Sequence, residues 1–323
     1  LCAILNWTST NPNEPECHLA PIAAWTDRVC CLPQYRWTGS LHYVEGKDDY
    51  PSETCAFPGN SGWVNGPVNL LNGIVNTTRI LEEWDGRAEE VGSVMNEALK
   101  FLVHFYGDLH MPLRAAGRAR GGNGIKVMFD GRHTNLHSLW DGLLIAQRLR
   151  TLSSNYTLPL LIPEIEFNLR GAIYDPYVRR VMWEGIMGRW KGEVQQWLLC
   201  PSPEPAFPAA GNGGMLQTVM GMFRRNRNPI NVMNCDFIFP KALDERPYRA
   251  RYHDADHLGH DRCSKTEHED EARAADVPYL ELDTPEYAGR IKDEFVIEKL
   301  IVQGGFGSRG AGGFCGQLWV PGV

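Results

Sequence analysis

Two His-x-x-x-Asp pairs constrain this chain more than any other feature. They are His104-Phe105-Tyr106-Gly107-Asp108 and His137-Ser138-Leu139-Trp140-Asp141. Residues four apart on a helix share one face, one turn from each other. Each pair lies in a stretch with an apolar stripe, so a fold that buries the stripes draws the polar pairs inward too. One such pair alone is ordinarily a surface ion pair. Two of them, joined by a glycine-rich hairpin, read as metal ligands. Imidazole and carboxylate both bind zinc, and two helices presenting such pairs inward can share a polynuclear site.

The surrounding pattern is mostly helical. Val91, Val94, Met95, Ala98, Phe101, Leu102 and Phe105 recur at three and four residues and predict a helix over 88–108. A second helix should start at Thr134 or Asn135, either of which can cap it, with Leu136, Trp140, Leu143, Leu144 and Gln147 as its stripe. A third is expected over 176–199. A fourth begins at Thr284-Pro285, a cap followed by proline in the first turn, and should bury Tyr287, Ile291, Phe295 and Ile301. Between the first two, Ile125, Val127 and Phe129 alternate before Asp130-Gly131, which predicts a short β-hairpin. Residues 201–228, 248–276 and 304–323 carry no period and exceed ordinary loop length, so no fixed structure is expected there. The expected organisation is one domain over 1–303, with 201–228 and 248–276 as unmatched stretches and 304–323 as a glycine-rich tail. The His-rich tract 253–261 lies inside one such stretch and reads as a solvated insert rather than a metal site.

Net charge is −7, so no global positive field exists to hold nucleic acid or an anionic membrane; local cations would have to attract a polyanion. No apolar run approaches the ~20 residues that span a bilayer. The nine cysteines include no CxxC pair. Three glycosylation sequons, at Asn6, Asn76 and Asn155, together with the cysteines favour the secretory route. The chain opens on LCAILNWTST without an initiator Met, and the expectation is a secreted protein whose start is missing. Cys2 and Cys17 flank a polar loop and are expected to pair. Adjacent Cys30 and Cys31 are not expected to bond to each other, because that strains the bridge.

HFYGDLHMPL, GGNGIKVMF and NLHSLWD occur in that order and spacing, preceded by IAAWTD at 22–27 and YRWTGSLHY at 35–43 and followed by NCDFIFPKALDE at 234–245. In these segments, and more loosely in 284–305, the chain resembles the S1/P1 nuclease family. That family comprises secreted zinc enzymes that cut single-stranded DNA and RNA to 5′-nucleotides. The resemblance implies a mostly α fold shared with bacterial zinc phospholipase C, with three zinc ions at the bottom of a cleft. By position, the first zinc would take Asp27, His42, His104 and Asp108. Asp108 would also bridge to the third zinc, and His137 and Asp141 would hold the second. Asp27 and Asp108 would be the catalytic carboxylates. Tyr43 would be the platform on which an unpaired base stacks, against the alternative of plain packing, and Glu45 would hydrogen-bond a base edge. Cys55 and Cys235 would form a disulfide. Single-stranded DNA, RNA and 3′-nucleotides are the implied substrates of a monomer that meets no membrane.

The chain departs from the family at three places. Arg114 stands where the family has a histidine ligand of the second zinc. A guanidinium keeps its proton and offers no lone pair, although it could hold phosphate directly. Leu1 stands where the family begins with a Trp that binds the third zinc, and neither Trp7 nor His18 has the surrounding pattern. Cys30 stands where the family has an Arg near the phosphate, with Arg28 displaced. Neither His110 nor His133 replaces the missing ligand convincingly, so fewer than three zinc ions are expected. The competing readings are a catalytically dead phosphate- or nucleic-acid-binding relative, a zinc phospholipase C-like enzyme, and a helical protein with a buried His/Asp network and no zinc.

Overall fold

The computed structural model describes residues 2–5, 10, 19–57, 60–84, 92–170, 174–198, 230–252 and 277–307. Helices dominate, and the one sheet among these residues is a two-stranded antiparallel hairpin. Helix α1 (Leu70–Glu82) starts at Asn69, whose side chain accepts from the Asn72 amide at 3.1 Å and satisfies an otherwise orphaned donor. It packs against α2 (Ser93–Leu109), the helix that carries the first His-x-x-x-Asp pair. The two helices come close at Gly73, where an added Cβ would lie 3.0 Å from the Phe105 ring. Phe105 is fully buried, and removing such a ring from water contributes ~2–3 kcal/mol.

The expected helix 88–108 is found as α2, but its face differs. Ala98, Phe101 and Phe105 are buried with Tyr106 and Leu109, whereas Val94 is 60 % exposed. Val91 lies outside the described residues. In the first turn Val94 faces outward while Met95 packs, half-buried, against the cluster of Ile4, Leu5, Leu81, Ala98 and Leu99.

Strands β1 (Lys126–Phe129) and β2 (Arg132–Asn135) pair as expected, with Lys126 opposite Asn135. Ile125, Val127 and Phe129 are all buried. Asp130 and Gly131 both take positive φ, 51° and 67°, which suits the twist of a two-residue hairpin turn. Helix α3 follows over 136–150. Of the two proposed caps it is Asn135 that acts, accepting from the Ser138 amide at 2.7 Å. Its middle turn, Leu139–Leu143, is widened to π geometry and carries Asp141.

Three further expectations are corrected. The third helix does not run unbroken over 176–199: it turns at 190–193, where Trp190 folds back so closely that a Cβ on Gly185 would lie 2.4 Å from its ring. The fourth starts at Thr284 as expected, with the hydroxyl accepting from the Tyr287 amide, but it breaks at Phe295 (φ 57°) before α4 (Val296–Gly307). Tyr287, Ile291 and Phe295 are buried, whereas Ile301 is 46 % exposed. The irregular stretches also begin later than expected. Arg249–Tyr252 is a helical turn with Tyr252 buried, its hydroxyl donating to the Lys126 carbonyl. Residues 304–307 belong to α4. Tyr248 lies in a turn before this helix, and the rest of 201–228, 248–276 and 304–323 lies outside the described residues.

Candidate metal centre

Five segments converge on one buried cluster. Asp27 comes from the short helix Trp25–Val29 and His42 from the end of the turn Pro33–His42. His104 and Asp108 come from the last turns of α2, Arg114 from the turn Pro112–Ala115, and His137 and Asp141 from the start of α3. His42 is fully buried, Asp108 and Arg114 nearly so, and Asp27 is half exposed, so the cluster opens to solvent on the Asp27 side.

Asp27, His42 and His104 each offer a ligand atom, all within 4.8 Å of one another. His42 Nδ1 and His104 Nε2 lie 3.1 Å apart, and Asp27 Oδ1 is 3.8 and 3.6 Å from them. Asp108 Oδ2 is 2.9 Å from His42 Nδ1 and 3.1 Å from His104 Nε2. Four ligands at about 2.0–2.1 Å around a tetrahedral ion stand about 3.3 Å from each other. The five separations above bracket that edge; Asp27, His42 and His104 are close enough to share one ion, with Asp108 beside both imidazoles. A backbone bond supports the same conclusion. His104 Nδ1 is 2.7 Å from the Ala23 carbonyl and must carry the proton, which turns the Nε2 lone pair into the cluster.

The second pair is oriented in the same way. His137 Nδ1 donates to the Gly121 carbonyl at 2.8 Å, and its Nε2 faces Asp141 Oδ2 at 3.2 Å. A cation already stands beside it. Arg114 Nη2 donates to Asp141 Oδ2 at 3.3 Å, and its Nε lies 3.2 Å from Asp108 Oδ1. The guanidinium thus bridges one carboxylate of each pair. Here the residues present do not fit a second metal ion in the way that the first group fits one.

The charges follow from this arrangement. Burial alone would raise the Asp108 carboxyl, but Arg114 and the two histidines outweigh it and hold it well below the usual range. Burial would lower His104, but Asp108 and Asp27 outweigh it and raise it to about 9 without metal. A metal ion must therefore displace a proton there. Asp141 is lowered against burial by His137 and Arg114.

Tyr43 follows His42 directly and is half-buried, its carbonyl accepting from the Leu70 amide. Glu45 is buried, which pushes its carboxyl up to about 8. His110 is half-buried and turned back on the Tyr106 carbonyl at 2.9 Å, and His133 meets Tyr279 edge to face, so neither joins the cluster. Cys30 Sγ lies 3.2 Å from the Asp27 carbonyl and 3.7 Å from Cys31 Sγ, too far for a bond between the two sulfurs. Cys55 and Cys235 form a disulfide, pinning the loop after Glu45 to the segment around 235. Cys2 is disulfide-bonded, and its expected partner Cys17 lies outside the described residues, as does Asn6. Asn76 and Asn155 are exposed.

Sequence reasoning missed the parts that aim the ligands. Ala119, Arg120, Gly121 and Gly122 all take positive φ, a left-handed run that presents the Gly121 carbonyl to His137. The glycine pair was visible as a motif, but not its role as an imidazole clamp. Arg118 anchors this run: it donates to the Pro51 carbonyl at 2.8 Å and to both Asp244 oxygens at 3.0 and 2.6 Å. Nothing in the local sequence marks that long-range pair.

Fold and site together define a mostly helical protein built around a buried histidine–aspartate centre suited to a metal ion. A family profile described as S1/P1 Nuclease matches residues 3–185, a span that holds all the cluster residues, and the chain belongs to that family. It is 30 % identical over 203 residues to Endonuclease 3 of Arabidopsis thaliana, covering 59 % of this chain and 60 % of that protein. It is 36 % identical over 131 residues to Nuclease P1 of Penicillium citrinum (38 % and 44 %) and 33 % identical over 124 residues to Nuclease S1 of Aspergillus oryzae (38 % and 41 %). The chain thus spans less than two thirds of the length of each of these relatives. No helix among the described residues is long and apolar enough to cross a membrane.

Proposed function

We propose that this chain is a zinc-dependent endonuclease that hydrolyses phosphodiester bonds of single-stranded DNA and RNA to 5′-nucleotides, with 3′-nucleotides as further substrates. The observation that carries this reading is the mutual approach of the Asp27, His42 and His104 donors, with Asp108 beside both imidazoles and the His104 tautomer fixed by the Ala23 carbonyl. When bound, zinc supplies positive charge toward a phosphate and makes water more acidic. The chain's own residues do the rest. His104 would hold the ion through Nε2, with its remaining proton on Nδ1 against the Ala23 carbonyl. Asp108 divides its oxygens between the two histidines and Arg114, holding both sides of the cluster in register. Arg114 keeps a permanent positive charge inside the cluster, between Asp108 and Asp141. Tyr43 offers a ring face to an unpaired base. Glu45, protonated at neutral pH, can donate to a base-edge acceptor. Asp27, at the open side, marks where the strand enters. The reading extends to a secreted, glycosylated monomer, for which Asn76 and Asn155 are exposed acceptors.

One observation favours a second reading. Arg114 occupies the place of a cation, which would suit a relative that binds phosphate but does not cleave it. Nucleotide release from single-stranded DNA, with and without chelator, separates the two. The expected result is release that chelator abolishes and His104→Ala lacks. Binding of single strands without any zinc-dependent release would refute the enzyme reading, and hydrolysis of a choline phospholipid but not DNA would redirect it to a phospholipase C-like activity.

A further inference from the structure

We propose that the Arg114 guanidinium is the resident cation of the His137/Asp141 pair, so that this chain takes one divalent metal ion, at Asp27, His42, His104 and Asp108, and not a cluster of ions. The proposal rests on the reading of the first group as a metal site.

Geometry carries the first part. Arg114 lies 95 % buried, with Nε against Asp108 Oδ1 and Nη2 against Asp141 Oδ2, at 3.2 and 3.3 Å. An ion bonded to Asp141 Oδ2 at about 2.0–2.2 Å could lie no more than about 5.5 Å from Nη2. The guanidinium keeps its charge in proteins, so it cannot yield by losing a proton as a lysine could. Asp141 is 39 % exposed and could swing toward water, but an ion would then keep His137 as its sole protein ligand from this pair.

Charge carries the second part. Three carboxylates meet here, Asp27, Asp108 and Asp141, with one guanidinium, and the imidazoles that would bind the ion do so as neutral ligands. The guanidinium and one divalent ion bring the three carboxylates to zero. A second ion would leave two uncompensated positive charges with every carboxylate of the cluster already engaged. In metal centres the second pair's arrangement would supply two ligands; here it serves to hold Arg114 in place, because His137 orients Asp141 and Asp141 holds the guanidinium.

The test counts metal. The full chain is loaded with zinc, freed of unbound ion by gel filtration, and its zinc content per chain measured. The same preparation loaded with manganese is read by electron paramagnetic resonance. One zinc per chain and an isolated-ion manganese spectrum are expected. Arg114→His, checked for fold by circular dichroism, should gain a second ion and show spin coupling. His137→Ala in the otherwise unaltered chain should still hold one, and this variant decides the matter if Arg114→His does not fold. Two or more ions in the unaltered chain would overturn the proposal while leaving the metal reading intact. So would a well-folded Arg114→His that stays at one ion, or loss of metal in His137→Ala. An unaltered chain with no zinc would overturn the metal reading and this proposal with it.

Discussion

Gly121 and Gly131 allow a controlled measurement of how the second histidine is aimed. Both take left-handed backbone, at φ 62° and 67°. They differ in surroundings: a Cβ on Gly131 would meet nothing within 4 Å, whereas one on Gly121 would lie 2.5 Å from the Leu113 carbonyl oxygen. Placing alanine in left-handed backbone costs about 1–2 kcal/mol at either site. At Gly121 the new carbon also stands about 0.8 Å inside an ordinary carbon–oxygen contact of about 3.3 Å. The oxygen belongs to backbone in the turn that carries Arg114, so it cannot rotate away as a side chain would. Overpacking of this kind costs a further ~1–3 kcal/mol. Gly121→Ala should therefore lose ~2–5 kcal/mol and Gly131→Ala ~1–2 kcal/mol in urea unfolding, at equal slopes. A second readout separates strain from aim. The Nδ1 proton of His137, donated to the Gly121 carbonyl at 2.8 Å, should be a protected nuclear magnetic resonance signal in the parent and in Gly131→Ala. It should be lost or exposed to exchange in Gly121→Ala. Equal stability losses within about 0.5 kcal/mol, with the proton retained in both variants, would refute the account of Gly121 as a clamp set by close approach.

Glu45 supplies a pH signature. Burial raises its carboxyl from 4.5 to about 8, so protonation favours the folded state. That contribution is complete below about pH 4.5 and is lost as pH rises through about 8. Glutamine cannot ionise, so Glu45→Gln should match the parent at pH 4 and gain on it by up to a few kcal/mol by pH 9. A stability difference independent of pH would show that Glu45 ionises without cost. The Cys55–Cys235 bridge closes a loop with a sequence separation of 180. Chain entropy puts its contribution at about 5 kcal/mol as a ceiling. The double alanine variant should lose several kcal/mol in denaturant titration, and a loss below about 1 kcal/mol would mean that the unfolded chain is held together by other means.

What the sequence determined by itself was local and periodic. The spacing of His104 and Asp108, and of His137 and Asp141, needs no tertiary information, because helical geometry puts residues four apart on one face. Asn135, Thr284 and Asp130-Gly131 were legible for the same reason: caps and tight turns are satisfied by atoms two or three residues away. Arg114 was conspicuous because its chemistry excludes metal ligation wherever it is placed.

Tertiary structure decided which expected faces were buried and where the charges met. Val94 and Ile301 fit their stripes as well as Phe101 and Ile291 do, yet no element among the described residues covers them, and they are exposed. A periodic pattern states which residues could face a core, but packing partners determine which do. The same holds for the centre. Sequence named the candidate ligands, but only the fold shows Ala23 and Gly121 carbonyls fixing two imidazoles, Arg118 reaching Asp244, and Arg114 lying between Asp108 and Asp141. Backbone carbonyls carry no residue identity, and contacts between distant segments obey no spacing rule. Such contacts exist once the chain has closed on itself.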